Sequence, residues 1–207
     1  MKRIKNQRKF NILGLNMNYW FVKLSKFLSF ILRHHPEKYN IKLDDQGYAN
    51  LTEVLIVLNN RFKSQGITLN TLNEMIKKSG KKRFEIRNNK IRAYYGHSIE
   101  KKIKIPKLKE NEYPKELYHG TTEKAFKKIK NEGIMKKERQ YVHLSKDIKT
   151  AIKVGKRRTK NPLILKIDMD EAKKEGVNFY KSGDIFLADY IPAQCISLVY
   201  EKHEGLN

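Results

Sequence analysis

The sequence predicts an α+β protein of two lobes, and three observations carry that expectation. Segments with the apolar spacing of helices lead into two short alternating runs joined by Asn88-Asn89-Lys90. A lysine- and proline-bearing stretch without periodicity follows, from Lys101 to Pro114. Beyond it, short runs of strand length alternate with brief helical patterns. The expected organisation is a basic, disordered extension over residues 1–18, a helical lobe with a hairpin over 19–100, a linker over 101–114 and a strand-rich lobe over 115–207. Met17 offers an alternative start.

Leu24, Phe27, Leu28, Ile31 and Leu32 fall on one helical face, while Lys23, Lys26 and Arg33 lie on others. Pro36 should end that helix, which puts Arg33 and His34 in its last turn, where the helix dipole favours cations. Asn50, with Glu53 three residues on, reads as the cap of a second helix through Val54, Leu55, Val57 and Leu58. A third spans Leu69 to Lys78 and stops before Gly80. The runs Arg83 to Arg87 and Ile91 to Tyr95 then form a hairpin, and helices followed by a basic hairpin suggest a winged-helix module. In the second half, strands are expected at Leu117 to His119, Tyr141 to Ser145, Leu163 to Asp168, Asn178 to Tyr180 and Ile185 to Ile191. Helices are expected at Glu123 to Glu132 and Ile148 to Val154.

Charge narrows the choice of partner. A formal net charge of +23 over 207 residues points to a phosphate polyanion, RNA or DNA. One cysteine, Cys195, excludes an intramolecular disulfide and a cysteine-rich zinc site, and reads as a small buried hydrophobe. Lys23, Lys26 and Arg33 interrupt the most apolar stretch, so no membrane span is expected, and the chain reads as a cytoplasmic monomer. The sequence carries neither a P-loop nor a GxGxxG motif, which counts against ATPases, kinases and doubly wound dinucleotide folds. No histidine pair has the helical spacing of a zinc site, and no metal is expected.

Two motifs carry the chemistry. Tyr118-His119-Gly120-Thr121 and Val142-His143-Leu144-Ser145 each place a histidine on a short strand beside backbone-permissive residues, a layout suited to a nicotinamide-cofactor pocket. Arg33, His34, Arg83 and Arg157 form a second constellation, because guanidiniums present planar donors to phosphate oxygens and an imidazole can donate or shuttle a proton. Taken singly, Arg33 also reads as a solvated helix end, Arg157-Arg158 as a generic basic patch, and His119 as a core histidine satisfied by backbone.

The motifs Leu24 to Pro36, Lys82-Arg83-Phe84, Ile91-Arg92-Ala93, Gly96-His97-Ser98, Tyr118 to Thr121, Val142 to Ser145 and Val154 to Arg158 are collinear, and together they resemble the NAD-dependent RNA 2′-phosphotransferase family from Leu24 to Ile196. The resemblance implies a winged-helix-like RNA lobe followed by an ADP-ribosyltransferase-like lobe. It implies removal of an internal 2′-phosphate from RNA, as at a tRNA splice junction, in two steps. The RNA phosphate attacks the nicotinamide ribose of NAD and expels nicotinamide; the adjacent ribose hydroxyl then attacks phosphorus, giving 2′-hydroxyl RNA and ADP-ribose 1″,2″-cyclic phosphate.

By the same resemblance, Arg33, His34, Arg83 and Arg157 handle the phosphate. Gly120 and Thr121 contact NAD beside the His119 and His143 strands, Arg139 meets its pyrophosphate, and His97 and Ser98 contribute from the lobe junction. Around Ile185-Phe186-Leu187, where many ADP-ribosyltransferases carry a glutamate, this chain is aliphatic or aromatic, as suits a nucleophile that is already ionised. Tyr94-Tyr95 stands where the family pattern leads one to expect Asn-Gln. Two rival functions remain: an ADP-ribosyltransferase acting on nucleic-acid terminal phosphates, and a winged-helix nucleic-acid binder with an idle second lobe.

Overall fold

The computed structural model describes residues 19–199; the expected extension over 1–18 lies outside them. The fold is α+β, with helices set against small antiparallel sheets. The chain divides into two compact units, with the boundary between Lys101 and Lys102.

Unit 1 begins with helix α1 over residues 19–33. Strand β1 (Tyr48–Asn50), helices α2 (Leu51–Arg61) and α3 (Leu69–Lys78), and strands β2 (Phe84–Arg87) and β3 (Lys90–Ala93) follow. The α1 face expected from spacing is the buried one: Leu24, Leu28, Ile31 and Leu32 are fully enclosed, each contributing roughly 1.5–3 kcal/mol relative to exposure. Asn50 caps α2 by accepting from the backbone N–H groups of Thr52 and Glu53. The β2–β3 turn sets Asn88 and Asn89 at φ 49° and 54°, the left-handed pair that a two-residue hairpin turn requires. β1 pairs with the far side of β3, so the hairpin belongs to a three-stranded sheet in the order β1-β3-β2.

Unit 2 contains β4 (Glu116–Thr121), α4 (Glu123–Glu132), β5 (Ile134–Met135), β6 (Val142–Leu144), α5 (Ile148–Gly155), β7 (Leu163–Asp168) and α6 (Met169–Lys174). Strands β8 (Phe179–Ser182), β9 (Ile185–Ala188), β10 (Tyr190–Ile191) and β11 (Ile196–Val199) complete it. The strands form two three-stranded antiparallel sheets, β11-β7-β4 and β6-β9-β8, and a small β10-β5 pair. An antiparallel bridge between Tyr118 and Ser145 joins the two larger sheets, with backbone bonds of 2.8 and 2.7 Å. It brings the two histidine-bearing strands side by side.

Two expectations need adjustment. The run Ile185 to Ile191 is two strands, because β10 leaves the β9 sheet to pair with β5; Asp189, between them, accepts a 2.6 Å hydrogen bond from the Tyr180 hydroxyl. The segment expected as a linker has little regular structure beyond a 3₁₀ turn at Glu110–Glu112, yet residues within it are pinned to unit 2. Ile103 is buried, its N–H donates to Gln140 and its carbonyl accepts from the Tyr141 hydroxyl, while Leu108 donates to the Phe179 carbonyl. Cys195 is buried, as its reading as a small hydrophobe expects.

Candidate functional site

In unit 1 the end of α1 carries Arg33, and His34 follows in the turn beyond it. The segment after β3 folds back onto them. Ser98 donates its backbone N–H to the Arg33 carbonyl at 2.9 Å, and its hydroxyl lies 2.7 Å from Nδ1 of His34, fixing that ring. The Arg33 guanidinium carbon lies 5.0 Å from the Tyr95 ring centroid and 5.6 Å from that of Phe84. Gly96, at φ 90°, turns its Cα toward the Arg33 side chain, in a conformation that glycine accepts without strain. Arg83 sits one residue before Phe84, and its carbonyl accepts from Tyr94 across the hairpin at 2.9 Å.

His97 lies beneath this segment with 2% of its surface exposed. Its Nε2 has no hydrogen-bond partner among the described residues. Burial, then the positive fields of Arg33, His34 and Arg92, push its pKa down to about 4, so the imidazole is neutral at physiological pH. A neutral ring can sit beside the Arg33 and Arg92 guanidiniums, which an imidazolium would repel.

In unit 2, His119 on β4 directs Nδ1 at the carbonyl of His143 on β6, at 3.0 Å, and His143 directs Nδ1 at the Tyr141 carbonyl, also at 3.0 Å. A carbonyl only accepts, so both Nδ1 atoms carry hydrogen, and a ring so held presents Nε2 as an acceptor when it is neutral. The pKa of His119 is lowered by burial, partly opposed by the bond to His143, and lowered further by Arg158 and Lys137. Leu187 is the register partner of His143 and is buried, so an aliphatic side chain stands in that stretch of β9.

Gly120 has a structural reason to be glycine. A Cβ there would collide with the Ala151 carbonyl of α5, and Gly155 of the same helix packs against Gly120 and Pro162. This close approach carries the end of α5, and with it Arg157 and Arg158, alongside β4. Gly120→Ala is therefore expected to cost about 1–3 kcal/mol by overpacking. Chemical denaturation checks this against Gly80→Ala, where an added Cβ meets nothing within 4 Å. Thr121 is buried at the end of β4, Arg139 is exposed ahead of β6, and Arg157 is exposed beyond α5.

The structure thus gathers Arg33, His34, His97 and Ser98 in unit 1, with Arg83 next to Phe84. It gathers His119, Gly120, Thr121 and His143 in unit 2, which also holds Arg139 and Arg157. Among the described residues no group of three or more histidine, cysteine, aspartate or glutamate side chains is placed to hold a metal ion, and no helix is long and apolar enough to cross a membrane.

Residues 21–187 match the family model described as RNA 2′-phosphotransferase, Tpt1 / KptA family. This chain belongs to that family. A protein of Acetivibrio thermocellus described as a probable RNA 2′-phosphotransferase is 44% identical over 178 residues, covering 85% of this chain and 96% of its own. One from Bacillus thuringiensis subsp. konkukian with the same description is 42% identical over 186 residues, covering 89% and 98%. An Archaeoglobus fulgidus protein described as probable RNA 2′-phosphotransferase 2 is 34% identical over 177 residues, covering 86% of this chain and 80% of its own.

In this RNA 2′-phosphotransferase family member Phe84 and Tyr95 meet Arg33, while Arg158 and Lys137 act on His119. Sequence reasoning named Phe84, Tyr95 and Arg158 without giving them these contacts, and it did not name Lys137 at all. The one available signal was that aromatic residues flank the arginine-bearing hairpin, and it acquires meaning only once the return path of the chain past α1 is known.

Proposed function

We propose that this chain removes an internal 2′-phosphate from RNA, of the kind left at a tRNA splice junction, by transferring it to NAD. The products are 2′-hydroxyl RNA, nicotinamide and ADP-ribose 1″,2″-cyclic phosphate. The observation that carries this reading is that the family match over residues 21–187 contains Arg33, His34, Arg83 and Arg157 together with both histidine strands. In this reading unit 1 is a winged-helix-like RNA lobe, which its order α1, β1, α2, α3, β2, β3 supports. Unit 2 is an ADP-ribosyltransferase-like lobe, which its two bridged antiparallel sheets support. The enzyme works as a cytoplasmic monomer without a metal.

Unit 2 suits an anionic dinucleotide. Arg158 and Lys137 supply positive charge beside His119, and the two Nε2 acceptors of His119 and His143 match ribose hydroxyl or amide donors. Bound NAD would supply the ribose carbon that accepts the phosphate oxygen in place of nicotinamide, and the neighbouring hydroxyl that accepts phosphorus in place of the RNA ribose oxygen. Arg33 and Arg83 of unit 1 and Arg157 of unit 2 are the arginines assigned by this reading to phosphate handling, a task that suits guanidiniums because they can donate to nonbridging oxygens and stabilise the charge that builds on phosphorus. His34, its ring fixed through Nδ1 by Ser98, supplies the proton that the departing RNA hydroxyl needs. An ionised phosphate needs no base to become a nucleophile, and the aliphatic Leu187 opposite His143 is compatible with that. Thr121 and Arg139 hold NAD, the latter at its pyrophosphate.

Incubating the protein with a 2′-phosphorylated oligoribonucleotide, with and without NAD, and resolving every product tests the proposal. Dephosphorylated RNA, nicotinamide and the cyclic phosphate are expected together, and only with NAD. RNA ending the reaction with ADP-ribose attached to its phosphate would favour the terminal-phosphate transferase instead. Bound RNA with no release of nicotinamide would favour the idle binder.

A further inference from the structure

We infer that Tyr95 is a positioning residue that holds the Arg33 guanidinium ready for the phosphate by laying an aromatic ring against it. The inference rests on the reading of Arg33 as a phosphate-binding group. Arginine has four rotatable side-chain bonds, and a planar fork that must meet phosphate oxygens gains when its orientation is set in advance. The Phe84 ring, 4% exposed and part of the unit 1 core, approaches the guanidinium carbon at 5.6 Å. Tyr95, half-buried after β3, approaches it at 5.0 Å. Both distances are within the range where a cation is drawn to an aromatic face.

The placement of Tyr95 follows from the backbone on either side of it. Tyr94 donates to the Arg83 carbonyl at 2.9 Å, Gly96 turns at φ 90° with its Cα toward the Arg33 stem, and Ser98 donates to the Arg33 carbonyl at 2.9 Å. The ring is thereby fastened on both sides to the elements that bear Arg83 and Arg33. An aromatic contact leaves the in-plane N–H edges of a guanidinium for ligands, because a ring engages its face. An amide side chain at position 95 would compete for those edges, so the tyrosine changes how Arg33 is held.

The test compares binding of a 2′-phosphorylated oligoribonucleotide with that of the same oligonucleotide lacking the phosphate, without NAD, for wild type, Tyr95→Phe and Tyr95→Leu. Wild type is expected to prefer the phosphorylated RNA. Tyr95→Phe should retain that preference, and Tyr95→Leu should lower it by about 5- to 30-fold, the span of a partly to well desolvated cation–π contact. Binding of the unphosphorylated RNA should stay unchanged in both, which a general loss of structure would not allow. A double-mutant cycle supplies the second measurement: in an Arg33→Ala background, Tyr95→Leu should have no further effect on the preference.

An unaltered preference in Tyr95→Leu, a loss equally large in Tyr95→Phe, or full additivity with Arg33→Ala would each overturn the inference. If Tyr95→Leu does not fold, Tyr95→Asn takes its place with the same expected loss. Absence of any phosphate preference in wild type would instead count against the reading of Arg33 itself.

Discussion

Exchange of Arg157 for alanine is expected to slow dephosphorylation of 2′-phosphorylated RNA by about 10²–10³-fold, the usual consequence of removing one donor that meets charge developing in a transition state. Stability should change by no more than about 0.5 kcal/mol, as at an ordinary surface position. The second expectation makes the first informative. Arg157 is exposed beyond α5, and its side chain makes no hydrogen bond or ion pair among the described residues. Its backbone N–H still closes the helix end on the Val154 carbonyl at 3.2 Å after the side chain is gone. Arg33 would be a poorer test, because Phe84, Tyr95 and Gly96 pack against its side chain and truncation would leave a gap. Arg157→Lys should recover only part of the rate, since a lysine restores the charge without the planar pair of donors. Single-turnover reactions that follow nicotinamide and dephosphorylated RNA separately, with a thermal melt of each variant, check both expectations. A rate near wild type in a folded Arg157→Ala protein would remove Arg157 from the phosphate-handling group.

How far such residues could be recognised in advance depended on how local their signals were. The α1 face and the Asn50 cap were readable because apolar spacing and capping chemistry act within one or two turns. The β2–β3 hairpin was readable because an Asn-Asn pair supplies both left-handed residues. The elements passed over are short: β1 and β11 span only Tyr48–Asn50 and Ile196–Val199, and α6 has six residues, capped by Asp168 through the N–H groups of Asp170 and Glu171. Each exists because a neighbour pairs with it or buries one side, and such long-range partners leave little trace in local pattern. The same holds for Ile103 and Leu108, whose aperiodic surroundings suggested a linker although both side chains are buried in unit 2.

The candidate site divides in the same way. Histidines on two strands were visible as motifs, but the Tyr118–Ser145 bridge that aligns them, and the carbonyls that fix both tautomers, belong to tertiary structure. Gly120 was visible as a glycine at the end of a strand and suggested room for a ligand; the structure shows that the room at its Cα is filled by α5. Tyr95 was visible only as a departure from an expected amide, and its ring acquires a role once Arg33 is found beside it.

Between about pH 7 and pH 5 the protein is expected to lose about 2 kcal/mol of stability through His97 alone, and about 3 kcal/mol in full by the time the pH falls below its folded pKa. The sign follows from the depressed value. In the unfolded chain the imidazole titrates near the ordinary 6.5, whereas in the folded protein it holds off protonation down to about 4. As the pH drops through that window the unfolded state binds a proton that the folded state refuses, so unfolding becomes more favourable; above it neither state is protonated and His97 contributes nothing. The dominant cause is burial at 2% exposure, with Arg33, His34 and Arg92 adding repulsion. His119, lowered chiefly by burial, acts with the same sign. The carboxylates held low by their partners, Asp44, Glu85, Glu116 and Asp147, lose their contributions as pH falls through their ordinary values of 3.8–4.5, so the histidine effect is read between pH 7 and 5. Urea denaturation of wild type and His97→Gln at a series of pH values checks the effect: the variant's stability should fall less steeply across the window, whatever its stability at neutral pH. Parallel curves for the two proteins would show that His97 takes up its proton equally in the folded and unfolded states, and that burial beside Arg33 does not hold the imidazole neutral.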